Sequence, residues 1–407
     1  MIKSPPTDVP KPSRFVCVFN RRRDDYQVPL ALAEAGLLEC FVTDFYLGES
    51  PKPLWPGPLR RRAMRGLPAA KSKSVWRSFL LQAALSLWRN PPDWMWPLNG
   101  RILAKAAAKR ARQSGSALYC YSYYLPESVE RQPGRPVIDF EFHPDAALSL
   151  EILRDDAAAY PECAQSFTRE LLAERIDRRH GWHLADAVVC ASTMTRRSLE
   201  HAGCDPAKIT VIPYGAPPSS AAQSRPRPPG TCRFLFVGQG IQRKGLHHLL
   251  RAWPKIAATG AELTLVCYAI DPALAAMAKQ TGVRLLARQE RGDLERLYVA
   301  HDVFVMPSLI EGFGLVYLEA LAAGCHVIGT PNTGLPDLPL DSAALTLVTP
   351  GKIDELAEAM RALVRHKEQG RLDPAVIAAQ VAKWQWADFR LAIADHARAV
   401  LNAETAR

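Results

Sequence analysis

No stretch of this sequence reaches the ~20 consecutive apolar residues that a membrane-spanning helix needs. Its nine cysteines are odd in number, scattered and without a C-x-x-C pair. That argues against a disulfide framework and against a zinc site, and for a reducing cytoplasm. There is no D-x-D triplet, so nothing calls for a bound metal, and the adjacent pairs Asp24-Asp25 and Asp155-Asp156 read as solvated acids. The first apolar run, Phe15 to Phe19, lacks the G-x-G-x-x-G turn of a dinucleotide-binding domain. Asn20-Arg-Arg-Arg-Asp-Asp-Tyr26 stands there instead, which counts against an NAD enzyme. The opening MIKSPPTDVPKPSR is polar and Pro-rich, unlike a signal peptide. Acids are scarce in one region: Lys52 to Arg112 holds fourteen Lys or Arg against Asp93 alone.

What is present is a chain of 407 residues, too long for one typical core and suited to two domains. At 48% apolar and 23% charged it has an ordinary globular composition. Short apolar runs alternate with helical patterns along its whole length. Strands are predicted at 15–19, 38–43, 118–122, 137–140, 185–192 and 208–215. They recur at 233–237, 263–267, 283–287, 303–306, 326–329 and 345–348. Such alternation implies parallel sheets, hence an α/β chain of two Rossmann-like domains facing a cleft. Pro217 to Pro229 reads as a linker. The expected division is 1–216, a linker at 217–230, a second domain at 231–383, and a last segment at 384–407.

The most informative stretch is Met306 to Leu335, MPSLIEGFGLVYLEALAAGCHVIGTPNTGL. It reads as strand, glycine loop, helix, turn and strand. Glu311 and Glu319 lie eight apart, a little over two helical turns or roughly 12 Å of rise. One precedes the helix and the other sits within it, so they can grip two ends of one ligand. The N–H groups of Phe313, Gly314 and Leu315 open that helix and favour anionic or polar oxygens. Upstream, Gly238-Gln-Gly240 and Arg243-Lys-Gly245 combine small residues with two cations, as phosphate binding requires.

At these residues the chain resembles the retaining glycosyltransferases of GT-B fold, in particular glycosyltransferase family four. The resemblance is specific at the E-x7-E block and weaker elsewhere. It implies a C-terminal helix, from Trp384 to about Leu401, that crosses back to the first domain. It also implies a nucleoside-diphosphate sugar, UDP- or GDP-linked, as donor substrate, with no other cofactor and no metal. Glu311 is then expected at the sugar hydroxyls, Glu319 at the ribose, and Phe313, Gly314 and Leu315 at sugar or phosphate. The family pattern V-G-R-x4-K-G places Lys244 on the diphosphate. Gln239 replaces the family arginine, with Arg243 as the available substitute beside Gly238 and Gly240. His143, just past the strand ending at Phe140, is expected at the donor sugar; Asp139 and Glu141 are nearby candidates. The expected acceptor is a glycan, a lipid-linked glycan or a small molecule. A catalytically inactive nucleotide-sugar-binding protein of the same fold is the alternative.

The basic insertion Pro51–Pro97 carries five tryptophans. Val75, Trp76, Phe79, Leu80, Ala83, Leu87 and Trp88 fall on one helical face. Two readings stay open: a helix facing the core, or an interfacial helix on an anionic membrane surface at 52–112. No nucleic-acid motif accompanies the charge, so none is expected as partner.

Overall fold

The computed structural model describes residues 13–49, 59, 61–88, 95–122, 124, 134–177, 181–217, 227 and 230–406. Most of the expected linker at 217–230 lies outside them, as do Trp55 and Trp94 of the insertion. Among the described residues, seven strands form the first sheet: β1 (Phe15–Val18), β2 (Leu38–Thr43), β3 (Ser72–Ser74), β4 (Ala117–Tyr121), β5 (Val137–Glu141), β6 (Ala187–Cys190) and β7 (Ile209–Val211). Their order is β3-β2-β1-β4-β5-β6-β7. Six form the second: β8 (Arg233–Gly240), β9 (Glu262–Ile270), β10 (Arg284–Leu286), β11 (Val303–Val305), β12 (His326–Gly329) and β13 (Leu345–Leu347), ordered β10-β9-β8-β11-β12-β13.

Both sheets are parallel throughout. The cause is visible in the strands: FVCV, VIDFE and AVVC are almost wholly buried, as expected where helices cover both faces. The strand order reverses beside β1 in the first sheet and beside β8 in the second. In open parallel sheets, ligands bind past the strand ends at such reversals. The loops that leave β1, β8 and β11 there are 19–26, 241–245 and 306–314.

Strands were legible because they are short apolar runs; the insertion was not. β3 is made of Ser72-Lys73-Ser74 and carries no apolar signal. The helix Trp76–Leu87 forms as expected, but only part of its apolar face turns inward: Val75 before it packs on the core, and Phe79 packs on the buried ring of Phe45 at 5.1 Å. Trp76, Leu80, Leu87 and Trp88 are exposed by half or more, while Ser78 and Gln82 are buried. A polar network holds it: Ser78 Oγ bonds Asn99 Oδ1, and Asn99 Nδ2 donates to Gln82 Oε1 at 3.0 Å. The core-facing reading therefore holds for Val75 and Phe79 and fails for Trp76, Leu80, Leu87 and Trp88. A charged helix runs over Ala164–Asp177, entered through the short helical turn Pro161–Cys163.

The last helix, Trp386–Ala406, packs on the first domain. Arg390 bonds Glu34 and Gln27 at 2.8 and 2.9 Å, and Phe389 meets the rings of Phe140 and Tyr214. The crossing is tight. Ala216 N–H donates to Trp384 O at 2.7 Å, Trp384 Nε1 donates to Tyr214 O at 2.8 Å, and a Cβ on Gly215 would stand 2.3 Å from the Trp386 nitrogen. Backbone cannot yield as a side-chain tip can. Gly215→Ala is expected to cost about 1–3 kcal/mol of stability, read by denaturant unfolding; an unchanged midpoint would contradict this seam.

Candidate functional site

A cleft of about 580 Å³ opens between the two sheets. Of the residues singled out from sequence, Gly238, Leu315 and Glu319 line it. The sequence reading missed most of the rest: Arg22, Asp24, Asp25 and Gln27 from the loop after β1, Arg61 from the insertion, and Tyr268, Arg288 and Trp386. Gln289 lies beside Arg288 on its wall. Arg61 pairs with Glu290 across the cleft mouth.

The glycine loop after β11 leads into the helix Leu315–Ala322. Gly314 caps it at φ 91°, a conformation open to glycine, and Leu315 and Val316 present the first turn to the cleft. One turn on, Glu319 is half-buried. It accepts a bond from Tyr298 Oη at 3.0 Å, and burial raises its carboxyl pKa against the pull of Tyr298 and Arg291. Phe313 turns its ring inward, edge-on to Tyr214 at 5.3 Å, so only its backbone is available to a ligand.

Beside the cleft, a buried ionic cluster brings together four expected residues. Lys244 Nζ bonds Glu311 Oε2, and Arg243 Nη1 lies 3.2 Å from the same oxygen. Burial alone raises the Glu311 carboxyl; Lys244 and Arg243 outweigh it and hold the group well below the usual range. Burial lowers Lys244, and Glu311 pulls the other way. His143 shares this field. Burial first, then the positive Arg243 and Arg23, push its pKa down to about 3, so the imidazole is neutral at physiological pH. Arg243 thus occupies a cationic position, whereas Gln239 stands in the bulge of β8, half-buried. Gly240 is not a cleft residue: a Cβ there would meet Ile270 at 2.4 Å.

The cluster spans both domains, and Gly312 is the joint. A Cβ on it would lie 2.1 Å from the Phe142 carbonyl oxygen. Its own carbonyl accepts from Ser192 Oγ and, at 3.0 Å, from Thr195 Oγ1. Both hydroxyls open the helix Thr193–His201 of the first domain. Asp139 and Glu141 do not line the cleft. Asp139 is fully enclosed in β5, its pKa raised to about 7 by burial, and Glu141 accepts from Ser122 Oγ at 2.5 Å.

Asp24 corrects another expectation. It is no solvated acid: burial lifts its pKa to about 6, against the hydroxyls of Tyr214 and Tyr121 and the charge of Arg23. The loop is contorted to place it. Arg21, Asp24, Asp25 and Tyr26 all have positive φ, each a conformation non-glycine residues rarely hold. Asp25 keeps partial exposure and pairs with Arg22 at 2.8 Å.

With this geometry in view, likeness to known proteins is informative. Residues 231–366 match the family Glycosyl transferases group 1. D-inositol 3-phosphate glycosyltransferase of Mycobacterium ulcerans is 32% identical over 226 residues, 49% of this chain and 48% of that protein. The chain spans about half the length of the curated relatives it matches. Sucrose-phosphate synthase from Thermosynechococcus elongatus superposes with a TM-score of 0.61 at 20% identity, over 93% of this chain and 92% of that one. The trehalose-6-phosphate structure from E. coli bound with UDP-2-fluoro glucose gives 0.59 at 14% identity, covering 96% and 99%. The chain has the GT-B fold of these glycosyltransferases. Over residues 231–366 its second domain is similar to the glycosyl transferases group 1.

Asp24 carries a pH signature. A carboxyl whose folded pKa is raised stabilises the fold most below its unfolded value of 3.8, and that contribution is lost as pH rises through about 6. Asp24→Asn is therefore expected to exceed the wild type by about 1–2 kcal/mol at pH 8 and to match it near pH 4. Thermal unfolding of ligand-free protein at both values checks this; a gap independent of pH contradicts it.

Proposed function

We propose that the protein is a retaining glycosyltransferase that moves a hexose from a nucleoside-diphosphate sugar to an acceptor hydroxyl. The observation that carries this reading is the pairing of a neutral His143 with Glu311, Arg243 and Lys244 beside a cleft that holds Glu319. Glu319 would take the ribose hydroxyls, and Tyr268 with 287–290 would flank the base. The diphosphate would draw Arg243 and Lys244 from Glu311, helped by the N–H groups at Gly314 and Leu315.

In the reaction, the bond from the anomeric carbon to the diphosphate oxygen breaks. The acceptor oxygen bonds to that carbon from the same face, and its proton passes to the departing phosphate. Charge grows on the leaving oxygen, where fixed cations count most. Glu311, charged and gripped by two cations, orients sugar hydroxyls rather than attacking. No metal is assigned to this step. The acceptor would enter over the first domain, past Asp24 and Gln27. We place the reaction in the cytoplasm, on nine free, buried thiols.

Two variants separate the roles. Glu319→Ala is expected to weaken UDP or GDP binding about tenfold or more, a charged hydrogen bond being lost. Lys244→Ala is expected to cut turnover about a hundredfold with a smaller change in binding. A calorimetric screen of both nucleotides and their sugars, followed by turnover assays, reads both. Wild-type values in both variants would overturn the site. Binding without turnover on any acceptor would favour an inactive nucleotide-sugar-binding protein, which Gln239 in place of the family arginine permits.

The acceptor we favour is lipid-linked, reached at an anionic membrane. The exposed Trp76, Leu80, Leu87 and Trp88 support this, beside Lys73 and Arg77, which are also exposed. No helix among the described residues is long and apolar enough to cross a bilayer. Sedimentation with anionic vesicles should retain the wild type and lose Trp76→Asp/Leu80→Asp; equal recovery of the two would refute this attachment.

A further inference from the structure

A second seam between the domains, away from the cleft, holds a group of side chains that glycosyl transfer does not use. Asp156 lies on the helix Ala146–Ala159 and Cys163 on the short turn Pro161–Cys163, both in the first domain. His247 and His248 open the helix Leu246–Ala252 of the second. All four are withdrawn from solvent: Cys163 and His247 are 0% exposed, His248 is 1%, and the Asp156 side chain is 6%. His247 Nε2 lies 3.0 Å from Asp156 Oδ2, and His248 Nε2 lies 2.9 Å from Asp156 Oδ1.

These short distances are not well-formed hydrogen bonds. The two Nε2 atoms contact Asp156 as ion pairs of poor hydrogen-bond geometry, and the Nδ1 atoms of both histidines are buried without any hydrogen-bond partner. A buried polar atom left so costs about 1–3 kcal/mol, and its presence calls for an explanation. The carboxylate oxygen, the Cys163 sulfur and a ring nitrogen of His247 lie within 4.8 Å of one another. One carboxylate, one thiolate and one imidazole form a mixed O, S and N donor set that suits zinc. Around zinc such ligand atoms sit about 3–4 Å apart, so a small inward movement suffices.

We propose that Asp156, Cys163 and His247 bind a zinc-class divalent cation that staples the two domains together. His248, on the other oxygen of Asp156, orients that ligand from outside, as partners of metal-bound carboxylates do. Gln242 does the same with a bond to Asp156 Oδ2 at 2.8 Å, one residue before Arg243. Tyr160 walls the site, its ring edge-on to both histidines at 5.2 and 4.9 Å. Cys163 enters the site as a free thiol. Binding breaks the S–H bond and releases that proton to buffer. The role is structural: the ion would fix the segment that presents Arg243 and Lys244.

The test uses full-length protein made without a polyhistidine tag, stripped with chelator and then exposed to zinc. Elemental analysis should find about one zinc per chain in the wild type and little in Cys163→Ser or His247→Gln. Zinc should raise the thermal midpoint of the wild type alone. Cobalt(II) added to stripped wild type should show thiolate-to-cobalt charge transfer, a readout that survives if either variant fails to fold. No zinc uptake, no cobalt–thiolate band, or full uptake by folded Cys163→Ser overturns the site.

Discussion

The arrangement depends on one buried negative charge. Glu311 sits in a seam where an isolated carboxylate would cost many kcal/mol, and it persists because two cations share one of its oxygens. Arg243 and Lys244 are in turn tolerable there only because of Glu311. The three charges form a set that no member can leave without exposing the others. Burial and the net positive charge of this set, with Arg23, keep His143 uncharged. A ligand that brings two negative charges re-partitions this set without leaving a bare ion behind.

The set exists only while the domains are together, and glycine makes that possible. Gly312 carries the loop of Glu311 into van der Waals contact with the backbone at Phe142, one residue before His143. Ser192 and Thr195 grip its carbonyl from the first domain. So the spacing between His143 and Glu311 is set by backbone-to-backbone packing, which is stiffer than any side-chain contact. The Asp156 seam lies on the far side of the Gln242–Lys244 turn. The cationic pair is thereby held between two inter-domain contacts.

Sequence carried the fold well, for a physical reason. Fully buried parallel strands must be apolar runs, and Leu38–Thr43 and His326–Gly329 were legible to the residue. The site was legible where it is local: Glu311, Glu319 and the glycine turn share one short stretch. It was illegible where it depends on distant partners. Asp24 and Asp156 looked like ordinary surface acids, because nothing nearby in sequence announces Tyr214 or His247. The helix Trp76–Leu87 misled in the opposite way. Its apolar stripe is real, but the polar residues between bond Asn99, and hydrogen bonds decided which side was buried.

The closing helix has a bearing on how the molecule is made. Phe389, Ile393 and Ala397 are buried to within 2% and complete the core of a domain whose first strand begins at Phe15. On the ribosome, that first sheet emerges long before its last packing layer. The helix Gln27–Glu34 and the ring of Phe140 must wait, uncovered, while the whole second domain is translated. Chain order thus leaves apolar surface open to chaperones during synthesis, and it makes the first domain's final closure the last step of folding.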